Sequence, residues 1–252
     1  MAWRRYWLSE SCFHDDQVMI EGDTFHHIFV VCRMHEGDCF EVIHPRGQAY
    51  LIEVERVEKK RAWGRLREGR DITPLPRPHL HLVVGVSRFH KMDEIIEKAV
   101  ELGVKSVRPA LTEYSFVRKL QEVGENRLRR WQKIVLAATQ QCGRGDLLEV
   151  RPASALEELL REFGQSANAA GLFPYEGEGQ LGLRQALSTL AQNRPDEIWL
   201  FVGSEGGFSL GEVQRFGELN LPPVSLGPQI LRVETACVVV LTTIKYELGL
   251  MG

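Results

Sequence analysis

Two short runs near the C-terminal end hold the residue types that could do chemistry. In Val202-Gly203-Ser204-Glu205-Gly206-Gly207-Phe208, the carboxylate of Glu205 stands among three glycines. In Leu226-Gly227-Pro228-Gln229-Ile230-Leu231-Arg232-Val233-Glu234-Thr235-Ala236, a cation and an anion, Arg232 and Glu234, stand two residues apart. Glycine permits positive φ and lets backbone approach a ligand closely. A guanidinium can neutralise an anion, and a carboxylate can accept a proton. The set suits a small charged ligand together with a polyanionic one. Each residue also has a plainer reading. The glycines serve a tight strand-to-helix turn, Glu234 compensates a helix dipole, and Arg232 forms a salt bridge to Glu234.

Both runs follow apolar stretches, Ile198–Val202 and Pro223–Leu226, that read as strands, and both run into helices. Loops at the ends of strands shape a crevice in open α/β sheets. Upstream, His81–Val86, Val104–Pro109 and Ala169–Phe173 are further strands. Helices are expected over Asp93–Leu102, Asn126–Gln141, Leu183–Leu190 and Glu234–Leu248. Ser154 and Ser209, each followed three residues later by Glu, read as capping boxes. This alternation implies a mostly parallel sheet with helices on both faces. Residues 1–72 differ: Asp38–Ile43, Ala49–Val54 and Arg61–Leu66 are short strands of an all-β module. Residues 73–78 hold three prolines and read as a stiff linker to a second domain, 79–252.

A chain of 252 residues with 44% hydrophobic and 26% charged content is long enough for a real core. No apolar run is long enough to span a bilayer, and Met1-Ala2-Trp3-Arg4-Arg5 does not lead into an apolar signal core. The expected compartment is the cytosol. The five cysteines form no C-x-x-C pair, which fits reduced thiols. His26-His27 with Cys32 matches no metal-ligand spacing, so no metal is expected. The net charge of −3 does not point to nucleic acid, but its distribution does. Arg56–Arg70 holds seven basic residues and Arg118–Lys133 holds six, each set against two acids and rich in arginine. Such stretches are either phosphate-contacting faces or solvated ones.

The 203–207 loop lacks the lysine of a P-loop and the G-x-G-x-x-G spacing of a dinucleotide fold. Gly203-Ser204-Glu205-Gly206-Gly207-Phe208 instead resembles the G-P-E-G-G-F of the ribosomal RNA small subunit methyltransferase E family, the 16S ribosomal RNA uridine-N3 methyltransferases of the SPOUT superfamily. Leu226–Ala236 resembles that family's L-G-x-R-I-L-R-x-E-T-A, and Lys98–Val104 its K-x-x-E-L-G-V. Gln141-Cys142-Gly143-Arg144 resembles its E-Q-S-G-R. His26-His27 with Val31-Cys32-Arg33 and Gly37-Asp38 resembles its H-H-L, V-L-R and G-D. The chain departs from the pattern at Ser204 (for Pro), Gln229 (for Arg), Gln140 (for Glu) and Tyr114 (for Arg).

The resemblance implies a PUA-like β-barrel followed by an α/β domain with a C-terminal trefoil knot. It implies a homodimer and S-adenosylmethionine as cofactor. The implied cofactor loops hold Leu172 and Phe173, then Gly203, Ser204, Glu205 and Gly207, then Leu226, Gly227, Pro228, Ile230 and Leu231. Arg232 and Glu234 become the expected catalytic residues. His27, Arg33, Arg129, Arg130 and Arg144 become the expected contacts to 16S ribosomal RNA or the small subunit. Two alternatives stay open: a related enzyme acting on a ribose 2′-hydroxyl or another base, and a non-catalytic assembly factor.

Overall fold

The computed structural model describes residues 3–251. Contacts within the chain divide it into two compact units. One comprises residues 1–74 with 136–147; the other comprises 75–135 with 148–252. The proline-rich stretch expected as a linker thus divides after Pro74. Within it, Arg77 is ion-paired to Asp196 at 3.0 Å.

In the first unit, six strands form one sheet among the described residues. They are β1 (Arg5–Trp7), β2 (Phe13–His14), β3 (Gln17–Glu21), β4 (Cys39–His44), β5 (Gln48–Val57) and β6 (Arg61–Asp71). Their order is β1-β4-β5-β6-β3-β2. Only β1 with β4 is parallel. Register shifts in the β5–β6 pair mark bulges, which bend a sheet. The sheet curls far enough for Phe13 of β2 to meet His44 of β4, ring centroids 4.4 Å apart. No ladder joins β1 to β2 among the described residues, so the expected barrel is a curled sheet not closed by a ladder. Its core gathers Tyr6, Val18, Ile20, Phe40, Ile52 and Val54. The module is also not all-β. The helix α1 (Gly22–Phe25) and a π-helical stretch, His26–Val31, follow β3, so His26 and His27 lie on a helix and not on a strand edge. Gln140, a departure from the family pattern, accepts the Trp7 amide at 2.9 Å.

The second unit is built on a parallel sheet. Its strands are β7 (His79–Gly85), β8 (Ser106–Leu111), β9 (Glu149–Val150), β10 (Ser154–Ala155), β11 (Ala169–Pro174), β12 (Leu181–Gly182), β13 (Glu197–Val202) and β14 (Pro223–Ser225). The order is β10-β8-β7-β13-β11-β14-β12, with β9 also on β8. The helices are α2 (Phe89–Glu101), α3 (Glu125–Cys142), α4 (Leu156–Gln165), α5 (Leu183–Asn193), α6 (Leu210–Glu218) and α7 (Val233–Glu247). The α3 helix starts in this unit and ends among the residues of the other. The unbroken apolar run Ile198–Val202 is what a strand buried on both faces requires. Trp199 and Phe201 pack with Leu160 and Phe163 of α4 and Phe216 of α6. Phe216 stacks on Phe173 with centroids 4.3 Å apart. The α6 helix opens on the capping box read from the sequence: Ser209 Oγ accepts the Glu212 amide, and Glu212 accepts the Ser209 amide at 2.8 Å.

His81 on β7 is 6% exposed and shares a hydrogen bond with Ser106 Oγ at 2.7 Å. Burial lowers its pKa to about 4, and Arg108 adds to that, while Glu197 pulls the other way. The unfolded chain therefore binds the extra proton first as pH falls. Stability contributed by neutral His81 should be intact above the ordinary value of 6.5 and be lost down to about 4. The full effect is on the order of 3 kcal/mol. Denaturant titrations at neutral and mildly acid pH should show this slope, and His81→Leu should flatten it. An equal slope in the variant would assign the acid sensitivity elsewhere.

Candidate active site in the parallel-sheet unit

Because β7, β13, β11 and β14 are neighbours running the same way, their C-terminal ends deliver four loops to one edge of the sheet. A cleft of about 1230 Å³ opens there. From β7 and the start of α2 come Arg88, His90 and Lys91; from β11, Pro174, Tyr175 and Glu176; from β13, Val202–Glu205 and Gly207; from β14, Ser225–Val233.

The β13 loop is a closed turn. The Gly207 amide donates to Ser204 O at 2.9 Å, and Gly207 has φ +70°. A Cβ on Gly203 would lie 2.8 Å from Gly207 backbone, so the turn has no room for one. Ser204, where the family pattern has proline, donates its hydroxyl to Tyr114 O at 2.6 Å. Glu205 is exposed, and its carboxylate accepts the Arg88 amide at 3.2 Å. In the β14 loop, Gly227 has φ +116° and nothing within 4 Å of a would-be Cβ. Among the described residues, the amides of Gln229, Ile230 and Leu231 make no internal hydrogen bond. Backbone donors in the cleft lining are thus left without an internal partner. Ile230 is 78% exposed.

Arg232 is the N-cap residue of α7 and is exposed. Its side chain has no hydrogen bond or ion pair among the described residues, so the simple salt bridge to Glu234 does not form. Glu234 turns instead to Lys91, whose Nζ donates to both carboxylate oxygens at 2.6 and 2.7 Å. Both side chains are largely buried, 14% and 16% exposed. Burial alone would raise the Glu234 pKa, but the hydrogen bonds from Lys91 and the backbone, with the charges of Lys91 and Arg232, hold it below the ordinary carboxylate range. Glu234 is therefore an ionised, anchored group. Cys237, one turn on, is fully buried, and burial followed by the Glu234 charge pushes its thiol up, so no thiolate is available there.

Two of the expected cofactor residues do not line the cleft. Leu172 and Phe173 are 0% and 1% exposed and belong to the core beneath it. The β11 strand reaches the cleft only with Pro174, Tyr175 and Glu176. The expected nucleic-acid residues all lie outside the cleft lining. His27 and Arg33 are exposed. Arg129 pairs with Glu125 at 2.7 Å and Arg130 with Asp93 at 2.7 Å. Arg144 is not on an open face: its side chain is 8% exposed and paired with Asp146 at 3.0 Å. In the Arg56–Arg70 stretch, Arg56, Arg61, Arg65, Arg67 and Arg70 are each paired with a glutamate, which weakens the field read from sequence. No cluster of three or more potential metal ligands occurs among the described residues, and none of their helices is long and apolar enough to cross a membrane.

Comparison with known proteins fits this geometry. An RNA methyltransferase domain model matches residues 73–245, and an RNA methyltransferase PUA domain model matches 20–67. Ribosomal RNA small subunit methyltransferase E of Aquifex aeolicus is 31% identical over 222 residues, covering 88% of this chain and 90% of that protein. The Bacillus subtilis protein of the same name is 28% identical, covering 92% and 91%. The crystal structure of ribosomal RNA small subunit methyltransferase E from Neisseria gonorrhoeae, bound to S-adenosyl methionine, superposes with a TM-score of 0.81 at 25% identity, covering 97% of each chain. A two-unit chain with this cleft, matched along 88% of its length by a relative 31% identical to it, belongs to the ribosomal RNA small subunit methyltransferase E family.

Proposed function

We propose that this protein methylates N3 of one uridine in 16S ribosomal RNA, using S-adenosylmethionine. The observation that carries the reading is an unpaired arginine, Arg232, beside a cleft lined by bare backbone donors. Those donors and the open space at Gly227 fit a ligand held by main-chain groups. Gly203–Gly207, Leu226–Leu231 and Pro174–Glu176 would hold it. When bound, it supplies a methyl group on a sulfonium, already reactive, which leaves alignment as the main task of the chain.

N3 lies on the pairing edge of uracil, so the base must be unpaired or flipped out. Its imide proton must leave, and negative charge then spreads to O2 and O4. Arg232 takes that charge or an adjoining phosphate. Glu234 faces Lys91 with both oxygens, which favours a positioning role over proton acceptance. On the same reading the 203–207 and 226–231 loops form a trefoil knot, which the pairing of β14 with β11 and not with β13 supports. Two copies associate through α7, where Val238 and Val239 are only half-buried. The exposed His27 and Arg33 contact RNA, and the protein works in the cytosol.

Mass-spectrometric mapping of 16S ribosomal RNA from a strain lacking the gene tests the proposal. One N3-methyluridine should vanish and return on complementation. Loss of a ribose methyl would point to the related chemistry. Failure of the protein to bind S-adenosylmethionine in calorimetry would favour an assembly factor.

A further inference from the structure

Between β8 and α3, the 113–117 segment alternates. Ser115 and Val117 are buried, while Tyr114 and Phe116 are 46% and 53% exposed. The Phe116 amide donates to Val86 O at 2.8 Å, and Ser115 Oγ receives the Thr112 amide at 2.9 Å, so the backbone beneath the two rings is fixed. Phe116 meets Phe89 edge-on, with centroids 5.8 Å apart and an interplanar angle of 82°. The Arg127 guanidinium lies 3.9 Å from the Phe89 ring centre. Phe89 follows Arg88, which is exposed and lines the cleft. Tyr114 lies against the β13 loop: its carbonyl accepts Ser204 Oγ, and a Cβ on Gly206 would fall 2.6 Å from Tyr114 Cβ. The rings therefore form a shelf continuous with the cleft rim through both Arg88 and the 203–207 loop.

We infer that this shelf stacks an unpaired RNA base next to the nucleotide held in the cleft. The inference rests on the RNA-methylation reading above. Rigid aromatic faces flanked by guanidinium groups are what single-stranded RNA binds: bases stack on the rings, and cations follow the backbone. Arg88, Arg127 and Arg118 supply the charge around the rings. The nearby acids are Glu205, Glu122 and Glu212, whose carboxylates accept the amides of Arg88, Arg118 and Glu113 respectively, and Glu113 itself, which is exposed. A shelf of this kind tolerates any base, so it would hold the strand in register and leave choice of the target to the cleft.

The test uses the whole protein and a short single-stranded RNA of mixed sequence carrying a fluorescent base analogue. Tyr114→Ala and Phe116→Ala should each weaken RNA binding about 5- to 150-fold, the range for one stacked base. The salt dependence should stay as in wild type, because no phosphate contact is lost, whereas Arg88→Ala should reduce it. Affinity for S-adenosylmethionine should not move in Tyr114→Ala or Phe116→Ala. Phe116→Trp should keep RNA affinity, and Phe116→Leu should behave like alanine. Unchanged RNA affinity in both alanine variants overturns the inference, as does wild-type RNA affinity in Phe116→Leu. A change in sedimentation of Phe116→Ala would show that a second copy covers these rings, and also overturns it. A wild-type protein that neither binds RNA nor methylates it removes the functional reading as well; a wild type that does both, with variants to match, removes the shelf alone.

Discussion

Arg232→Ala should lose methyl transfer about a hundredfold or more while keeping its donor affinity and melting temperature. The separation follows from the structure of the wild-type side chain. Arg232 is exposed and unpaired among the described residues, so folding gains little from it. Its position at the entrance of α7, lining the cleft, directs its charge to whatever occupies the cleft. Glu234→Gln should behave differently. It leaves the largely buried Lys91 ammonium without its counter-charge, so both turnover and melting temperature should fall. Lys91→Met should mirror that loss. If Glu234 only anchors α7, the turnover deficit of Glu234→Gln should be the same at neutral and alkaline pH. If it accepts the imide proton, the variant should recover partly at high pH, where hydroxide ionises the base. Near-wild-type turnover in Arg232→Ala and Glu234→Gln would leave alignment of donor and base as the whole of catalysis.

Lys91 also shows where reading a sequence runs out. It lies 143 residues from Glu234, and nothing local joins the two. One signal was present: a cation in the first turn of α2 opposes the helix dipole and calls for a partner. Elements fixed by local pattern were legible. The apolar run Ile198–Val202 became the central strand β13, and Ser209 with Glu212 closed its capping box. The same motif at Ser154 failed. There Ser154 and Ala155 pair with Ala110 and Leu111 of β8, and α4 starts at Leu156 with no side-chain cap. Parallel pairing with a distant strand outweighed a local hydrogen bond. The glycine loops were legible as tight turns at strand ends, where the backbone can approach a ligand, but the same glycines serve a plain strand-to-helix turn, and only the family resemblance points from them to a cofactor. The exact reach of β11 was not, because Leu172, Phe173 and Tyr175 are all apolar or aromatic and only packing decides which are covered. The paired arginines of β6 likewise lost their apparent field to glutamates on β4 and β5.

Gly227→Val should abolish measurable binding of S-adenosylmethionine and leave the protein folded. Three facts about this glycine lead there. Its φ of +116° is a conformation that side chains rarely adopt, so any substitution strains the loop by about 1–3 kcal/mol. Nothing lies within 4 Å of a would-be Cβ, so the added carbon meets no protein, and it stands in a loop that lines the cleft. The loop carries the unpaired amides of Gln229–Leu231, and a shift in its backbone moves those donors too. Strain and obstruction can be told apart. Gly37 has φ +85° and equally open surroundings, but lies in the other unit, so Gly37→Ala imposes strain without approaching the cleft. It should lower the melting temperature by a few degrees and leave donor affinity alone. Gly227→Ala should cost a similar few degrees and weaken the donor about tenfold or more, with valine worse than alanine as bulk increases. Gly207→Val provides a second arm at φ +70°, with Glu176 Oε1 3.7 Å from the added carbon. Calorimetric titration of each variant decides the matter. Wild-type donor affinity in a folded Gly227→Val protein would mean that the β14 loop is not where the donor sits.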